Sequence, residues 1–262
     1  MKKIILAISL LLSGIQPCLA VTELPVAHQT SFVTSIEQRV VKFVQQTVNN
    51  LNFSAYQMGG ARFDLAHGVY ILDCSTYIDH ILKAVYPRAY SSLVNSTGAG
   101  KPSSQHYYDF FSKLPTTSKY WDKVEKVKQL RPGDVLVFRY HDSQKAVTGG
   151  HVMMVMNKPV PHAAGYMVRV ADSAAAGHSA DTRLPHTSGI GIGTLMLKVN
   201  PKTGKPAAYA WKMGAAWKQN VHFAMARPLV STDKPARLKS SKPKPKPKLK
   251  AKSKAKPVKR PK

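Results

Sequence analysis

An α+β domain, helices first and an antiparallel sheet after them, is the fold class this 262-residue sequence predicts. Three observations carry that expectation. Two amphipathic helical patterns come early, one over 34–49 and one running from Cys74 to a stop at Pro87. A series of short stretches with two-residue periodicity then dominates, at 135–140, 151–156, 166–171, 194–199, 207–212 and 221–226. A helix group followed by a run of strands, instead of alternation between the two, indicates an antiparallel sheet of about five to six strands.

The elements follow in order. Residues 1–20 read as a secretory signal: Lys2 and Lys3 give a positive start, 4–12 is an apolar run, and Cys18 and Ala20 place small residues at the −3 and −1 positions of a cleavage site. That run falls short of the roughly 20 residues that span a bilayer. A lipid-modified Cys18 is the rival reading, and Pro17 before it is a poor fit. Residues 21–30 look like an extended leader, ahead of a globular domain over 31–230. Thr34 and Glu37 have capping-box spacing, and Val33, Ile36, Val40, Val44 and Val48 recur at helical intervals. The stretch 56–70, marked by Gly59-Gly60, is expected to be a loop. Ile78, Ile81, Leu82 and Val85 line one side of the second helix. Residues 89–119 form an insertion with a short helix; its aromatic group Tyr107, Tyr108, Phe110 and Phe111 either packs the insertion onto the core or covers a cleft as a lid, and packing is preferred. Leu130-Arg131-Pro132-Gly133-Asp134 is a turn into the strand at 135–140. The run Gly189-Ile190-Gly191-Ile192-Gly193 reads as a flexible lead into the next strand.

Composition narrows the function. Lys and Arg number 39 against 13 Asp and Glu, a formal net charge of +26. From Asp233 to Lys262 there are 14 Lys or Arg and one Asp, so half of that excess sits in the last thirty residues. A Lys- and Pro-rich segment of this kind cannot bury apolar surface, and 231–262 is expected to be a disordered basic tail. Anionic envelope polymers or lipid head groups are the partners such charge attracts in an exported protein. Nucleic acid is not expected, because the tail has no aromatic residue to stack on bases. No transmembrane segment, metal cluster or cofactor-binding motif is evident, and a monomer is expected.

The chain holds two cysteines, and loss of the signal with Cys18 leaves Cys74 alone. A lone thiol in an oxidising compartment is either buried or used. A thiol attacks as thiolate, which a helix N-terminus and a nearby imidazole both favour. Cys74 stands where the second helix begins, so first-turn N–H groups could also hold an oxyanion. Among ten histidines, His151 is the best-placed base, since it follows Thr148-Gly149-Gly150 and opens an apolar strand. A base needs an orienting partner for its other nitrogen. Asp172, at the end of the following strand, lands beside His151 if those strands pair. His178 could take that place if the loop after Asp172 folds back.

Four motifs in order carry a resemblance. Tyr56-Gln57-Met58-Gly59-Gly60, Leu72-Asp73-Cys74-Ser75 opening a helix, the Pro132-Gly133-Asp134 turn, and Gly150-His151-Val152 together resemble the NlpC/P60 superfamily. The ending Phe223-Ala224-Met225-Ala226-Arg227-Pro228 looks like that family's last strand, so the likeness covers about 32–228. It implies a papain-like fold and a cysteine peptidase that cleaves peptide or amide bonds, commonly in bacterial cell-wall stem peptides. Cys74 would be acylated, His151 would move the proton, and Asp172 matches the position of the orienting residue. Tyr56 matches a tyrosine lining the site, and Asp73 and Ser75 match residues that help hold a free amine of the substrate. Two departures stand out: Thr76 replaces a glycine, and the Cys–His interval is lengthened by the insertion. The expected protein is therefore an exported hydrolase, periplasmic or secreted, acting on peptidoglycan stem peptides. The same machinery on another amide or acyl bond, or an idle envelope-binding relative, are the alternatives.

Overall fold

The structure is a computed structural model that describes residues 35–116, 118–141 and 149–230. The expected signal, leader and basic tail lie outside the described residues, as does the proposed cap Thr34. Four helices are described: α1 (Ser35–Asn49), α2 (Cys74–Val85), α3 (Pro87–Thr97) and α4 (Ser104–Lys113). The strands are β1 (Phe53–Tyr56), β2 (Arg62–Asp64), β3 (Val69–Leu72), β4 (Trp121–Lys123), β5 (Val135–Tyr140), β6 (Gly150–Val155), β7 (Val160–His162), β8 (Gly165–Ala174), β9 (Gly189–Val199), β10 (Pro206–Ala210) and β11 (Val221–Pro228). The class is α+β, as the sequence predicts.

The main sheet has eight strands rather than five or six, in the order β10-β9-β8-β6-β5-β11-β4 with β7 added on β8, all antiparallel. The two extra strands, β4 and β7, are three residues each, too short to show a period. The sheet curls: Phe138 on β5 stacks on Tyr209 of β10 with ring centroids 4.3 Å apart, and the Tyr140 and Tyr209 hydroxyls lie 2.9 Å apart. Curling separates two cores. Leu136, Phe138, Met153, Val155, Val168, Val170, Leu195 and Leu197 fill the concave side. Val135, Val137, Val152, Met154 and Ala224 face the other way, against α1, α2 and α4. Alternation along each strand sends neighbours to opposite faces, and both faces are buried.

The stretch 56–70 is not a plain loop. It contributes to a second, three-stranded sheet, β1-β3-β2, in which β1 and β3 run parallel. Sequence periodicity misses it because its strands are short and only β3 alternates between buried and half-buried positions. Pro87 ends α2 and also occupies the first position of α3, where its missing N–H costs nothing. The insertion therefore holds two helices instead of one. Tyr107 and Phe111 are fully buried, and Trp121 Nε1 donates to the Ala89 carbonyl at 3.0 Å, so the aromatic group packs the insertion onto the core.

The Pro-Gly-Asp turn acts as a staple. Buried Asp134 accepts from the Arg131 N–H at 2.9 Å and takes two hydrogen bonds of 2.8 Å from the Arg227 guanidinium. It ties the start of β5 to the end of β11. Gly133 has φ of +92°, and a Cβ there would meet the Tyr86 hydroxyl at 2.8 Å.

Candidate active site

Asp73 sets the first turn of α2. Its backbone is extended, its Oδ1 accepts from the Thr76 N–H at 2.8 Å, and its carbonyl accepts from the Tyr77 N–H at 3.1 Å. This is an N-cap, and it fixes Cys74 as the first helical residue. Asp73 also receives the Ser75 hydroxyl at 3.0 Å on Oδ1 and the Gly59 N–H at 2.8 Å on Oδ2. The Gly59-Gly60 turn is thereby docked on the helix start. Gly60 has φ of +64°, and a Cβ on it would lie 2.8 Å from Thr76 Cγ2. Thr76 is thus accommodated by a neighbour that has no side chain.

His151 is held by the opposite wall. Gly149 has φ of +58°, and a Cβ on Gly150 would meet the Phe138 carbonyl at 2.1 Å, so only glycine lets β6 begin this close to β5. His151 follows, paired with Phe138. β6 and β8 are bonded at Met154↔Ala171 and Val155↔Val170 and part beyond that point. Across the gap, His151 Nε2 lies 2.7 Å from Asp172 Oδ2. Cys74 is the other neighbour whose charge and side-chain hydrogen bonding act on the imidazole. Ser173, next to Asp172, donates to the Leu72 carbonyl at 2.6 Å, which stitches β8 to the strand leading into Cys74. Cys74 is 6% exposed, His151 9% and Asp172 0%. Charges here are screened far less than at the surface.

Electrostatics follow from that placement. Burial alone would depress His151. The Cys74 charge and the Asp172 hydrogen bond outweigh it and carry the imidazole up to about 10. Burial would raise Asp172, but the His178 charge, the His151 and His178 hydrogen bonds and the Arg183 charge hold it well below the carboxylate range. Tyr56 is half-buried beside the site; burial, then the negative charges of Cys74, Asp73 and Asp172, push its phenol up to about 12. Its hydroxyl reaches Met58 Sδ at 3.5 Å.

All six residues singled out in the sequence gather here. Cys74, His151 and Asp172 lie together, Asp73 caps the helix that Cys74 opens, Ser75 donates to Asp73, and Tyr56 stands against the charged group. Of the two candidate partners for His151, Asp172 is the one in contact with it, and His178 stands behind Asp172. Asp172 touches His151, and His178 Nε2 touches the same Asp172 oxygen at 2.9 Å, because the loop after Asp172 folds back. That loop also brings in Arg183 and Asp181, which the sequence does not reveal. Arg183 Nη2 reaches Asp172 Oδ1 at 2.8 Å and Asp181 Oδ2 at 2.8 Å. Trp211, likewise unforeseen, lies edge-on to His151 with centroids 5.2 Å apart and over His178 at 4.0 Å.

A signal for the loop exists in the glycine run. Gly189, Gly191 and Gly193 are not a lead into β9 but part of it. A Cβ on Gly191 would lie 2.5 Å from Arg183 Nε, and one on Gly193 would lie 2.3 Å from Asp181 Oδ2 and 2.7 Å from His178 Cβ. Glycine at every second position of a strand clears one face for something packed close. Among the described residues, no group of three or more His, Cys, Asp or Glu is arranged to hold a metal ion, and no helix is long and apolar enough to cross a membrane.

No family model, curated protein or solved structure matches this chain.

Proposed function

We propose that the chain is an exported cysteine hydrolase of the papain-like NlpC/P60 type, with peptidoglycan stem peptides as substrate. The observation that supports this best is the His151 imidazole, set between the Cys74 thiol and the buried Asp172 carboxylate. In this reading the Cys74 sulfur attacks the carbonyl carbon of an amide. The first-turn N–H groups of α2 and the helix dipole stabilise the oxyanion. His151, protonated at the nitrogen facing Cys74, gives that proton to the leaving amine as the thioester forms. It then takes a proton from water, which releases the acid and restores the thiol. Asp172 holds the imidazole in the tautomer and orientation both steps need. Tyr56 lines the cleft. Asp73 and Ser75 bind a free amino end of the stem peptide. The basic tail tethers the enzyme to anionic envelope polymers or lipid head groups, with binding that falls steeply as salt rises.

A second reading has an observation of its own. Asp73 already accepts from Gly59, Ser75 and Thr76, which leaves about one of its four lone-pair sites for a substrate amine. The same Cys–His–Asp machinery on a different amide or acyl bond needs no such amine. The experiment is digestion of purified peptidoglycan by wild type, Cys74→Ala and Ser75→Ala, with fragments read by mass spectrometry. The first reading predicts defined stem-peptide fragments from wild type, none from Cys74→Ala, and a loss of preference for free-amine stems in Ser75→Ala. No fragments from wild type would remove the cell-wall substrate.

A further inference from the structure

Arg183 is enclosed, with its side chain 2% exposed, and its guanidinium is shared between two carboxylates and a carbonyl. Nε donates to Asp181 Oδ1 and Nη2 to Asp181 Oδ2, both at 2.8 Å. Nη2 also donates to Asp172 Oδ1 at 2.8 Å, and Nη1 donates to the Gly189 carbonyl at 2.9 Å. A planar fork held on three of its nitrogens has little freedom to turn. Asp181 is itself fixed by its own loop, since it accepts the His178 and Arg183 backbone N–H groups at 2.7 and 2.8 Å.

The sheet makes room for this group. Gly191 lies directly across from Asp172 in the β8–β9 ladder. A Cβ on Gly191 would lie 2.5 Å from Arg183 Nε and 2.7 Å from Asp181 Oδ1. The bare strand opposite Asp172 is therefore the floor on which the guanidinium lies. Its grip on Asp172 is one-sided. Arg183 takes Oδ1, and Oδ2 is left to face His151 at 2.7 Å, with His178 Nε2 2.9 Å from the same oxygen. The hold on Gly189 reaches towards Tyr56. Beside it, the Ile190 N–H donates to Ser54 Oγ at 2.8 Å, and the Tyr56 N–H donates to Ser188 Oγ at 3.1 Å.

We propose that Arg183 is a positioning residue for the Cys74–His151 pair: it fixes the rotation of the Asp172 carboxylate so that Oδ2 is presented to the imidazole. It acts through Asp172. The last torsion of an aspartate is soft, and a carboxylate bonded at one oxygen can swing about it. Bonded at both oxygens, it is locked. Small misplacements near a reacting centre are costly in rate, so a loose orienter is felt at the thiol. The consequence for rate rests on the hydrolase reading, whereas the hydrogen-bond geometry stands apart from it.

Two measurements on the full chain test it, in Arg183→Lys and in Gly191→Ala. Arg183→Lys keeps a positive charge and removes the fork. Gly191→Ala keeps Arg183 and pushes it off its floor. The first measurement reads the His151 Nε2 proton by NMR, a downfield resonance assigned by its absence in His151→Gln. Both variants should move it upfield, because the bond to Asp172 loosens. A resonance unmoved in either folded variant would overturn the proposal, whether or not Cys74 is reactive. The second reads the rate of Cys74 alkylation by iodoacetamide at pH 6, with and without Asp172→Asn. Arg183→Lys is expected to slow alkylation by about tenfold alone and by less than about twofold on top of Asp172→Asn, since the effects of residues in one network do not add. An equal loss in both backgrounds would make Arg183 a packing residue and overturn the proposal. A wild-type thiol no faster than free cysteine would count against the hydrolase reading, and the resonance would still decide on Arg183.

Discussion

At the residue scale, the site places a raised base against a depressed acid. His151 retains its proton up to about pH 10 because Cys74 and Asp172 together outweigh burial. Proton donation to a leaving amine should therefore persist through neutral pH and be lost as pH rises through that value. Asp172→Asn keeps the size of the side chain but removes the charge that orients His151 and pairs with Arg183. The expected result is a fall in kcat/KM on the order of 10²- to 10⁴-fold, with the basic limb of the pH profile moved to lower pH. Measured profiles with an unmoved basic limb would mean that Asp172 does not interact with the base. At this scale the sequence was most legible. A cysteine at a helix start, a histidine after two glycines and an aspartate at a strand end are local signatures. Arg183, Asp181 and Trp211 were illegible because nothing local distinguishes a network residue from a loop residue; only the fold-back of 175–188 makes them partners.

At the scale of elements, α2 presents two faces with different duties. Its start carries Cys74, and one turn further on Asp79 anchors the two-helix insertion. Asp79 is 2% exposed and accepts from the Tyr107 hydroxyl at 2.7 Å and the Tyr90 hydroxyl at 3.2 Å. Burial pushes its carboxyl up to about 7, against the opposing pull of Tyr107, Lys83 and Tyr90. An unfolded aspartate titrates near 3.9. Between about pH 4 and 7 the folded chain keeps a proton that the unfolded chain has released, so this group's contribution to stability falls as pH rises through that window. Asp79→Asn removes the titration. In urea unfolding, the drop in midpoint between pH 5 and pH 8 should shrink in the variant; an undiminished drop would assign it to other groups. The long strands and α1 and α2 were readable because burial imposes a period on them. The small β1-β3-β2 sheet, α3, β4 and β7 were not, since elements this short, or packed without a clear stripe, leave no periodic trace.

At the scale of the whole molecule, the curled sheet and the helices meet at Cys74, His151 and Asp172. The concave core orders β5, β6 and β8, and the outer core fixes α2 against them. The Ser173–Leu72 hydrogen bond joins the two halves within two residues of both Asp172 and Cys74. The predicted class and chain order held because grouping of helices before strands is a global property of the sequence. The strand count did not, because edge strands are set by their neighbours. The central claim is that this assembly activates Cys74. It is tested most directly by the alkylation rate of Cys74 with iodoacetamide at pH 6, in wild type and in His151→Gln. The account predicts that the wild-type thiol reacts at least tenfold faster than free cysteine, whose pKa near 8.5 leaves little thiolate at that pH, and that His151→Gln removes the advantage. A wild-type Cys74 no faster than free cysteine, or equally fast without His151, would contradict it.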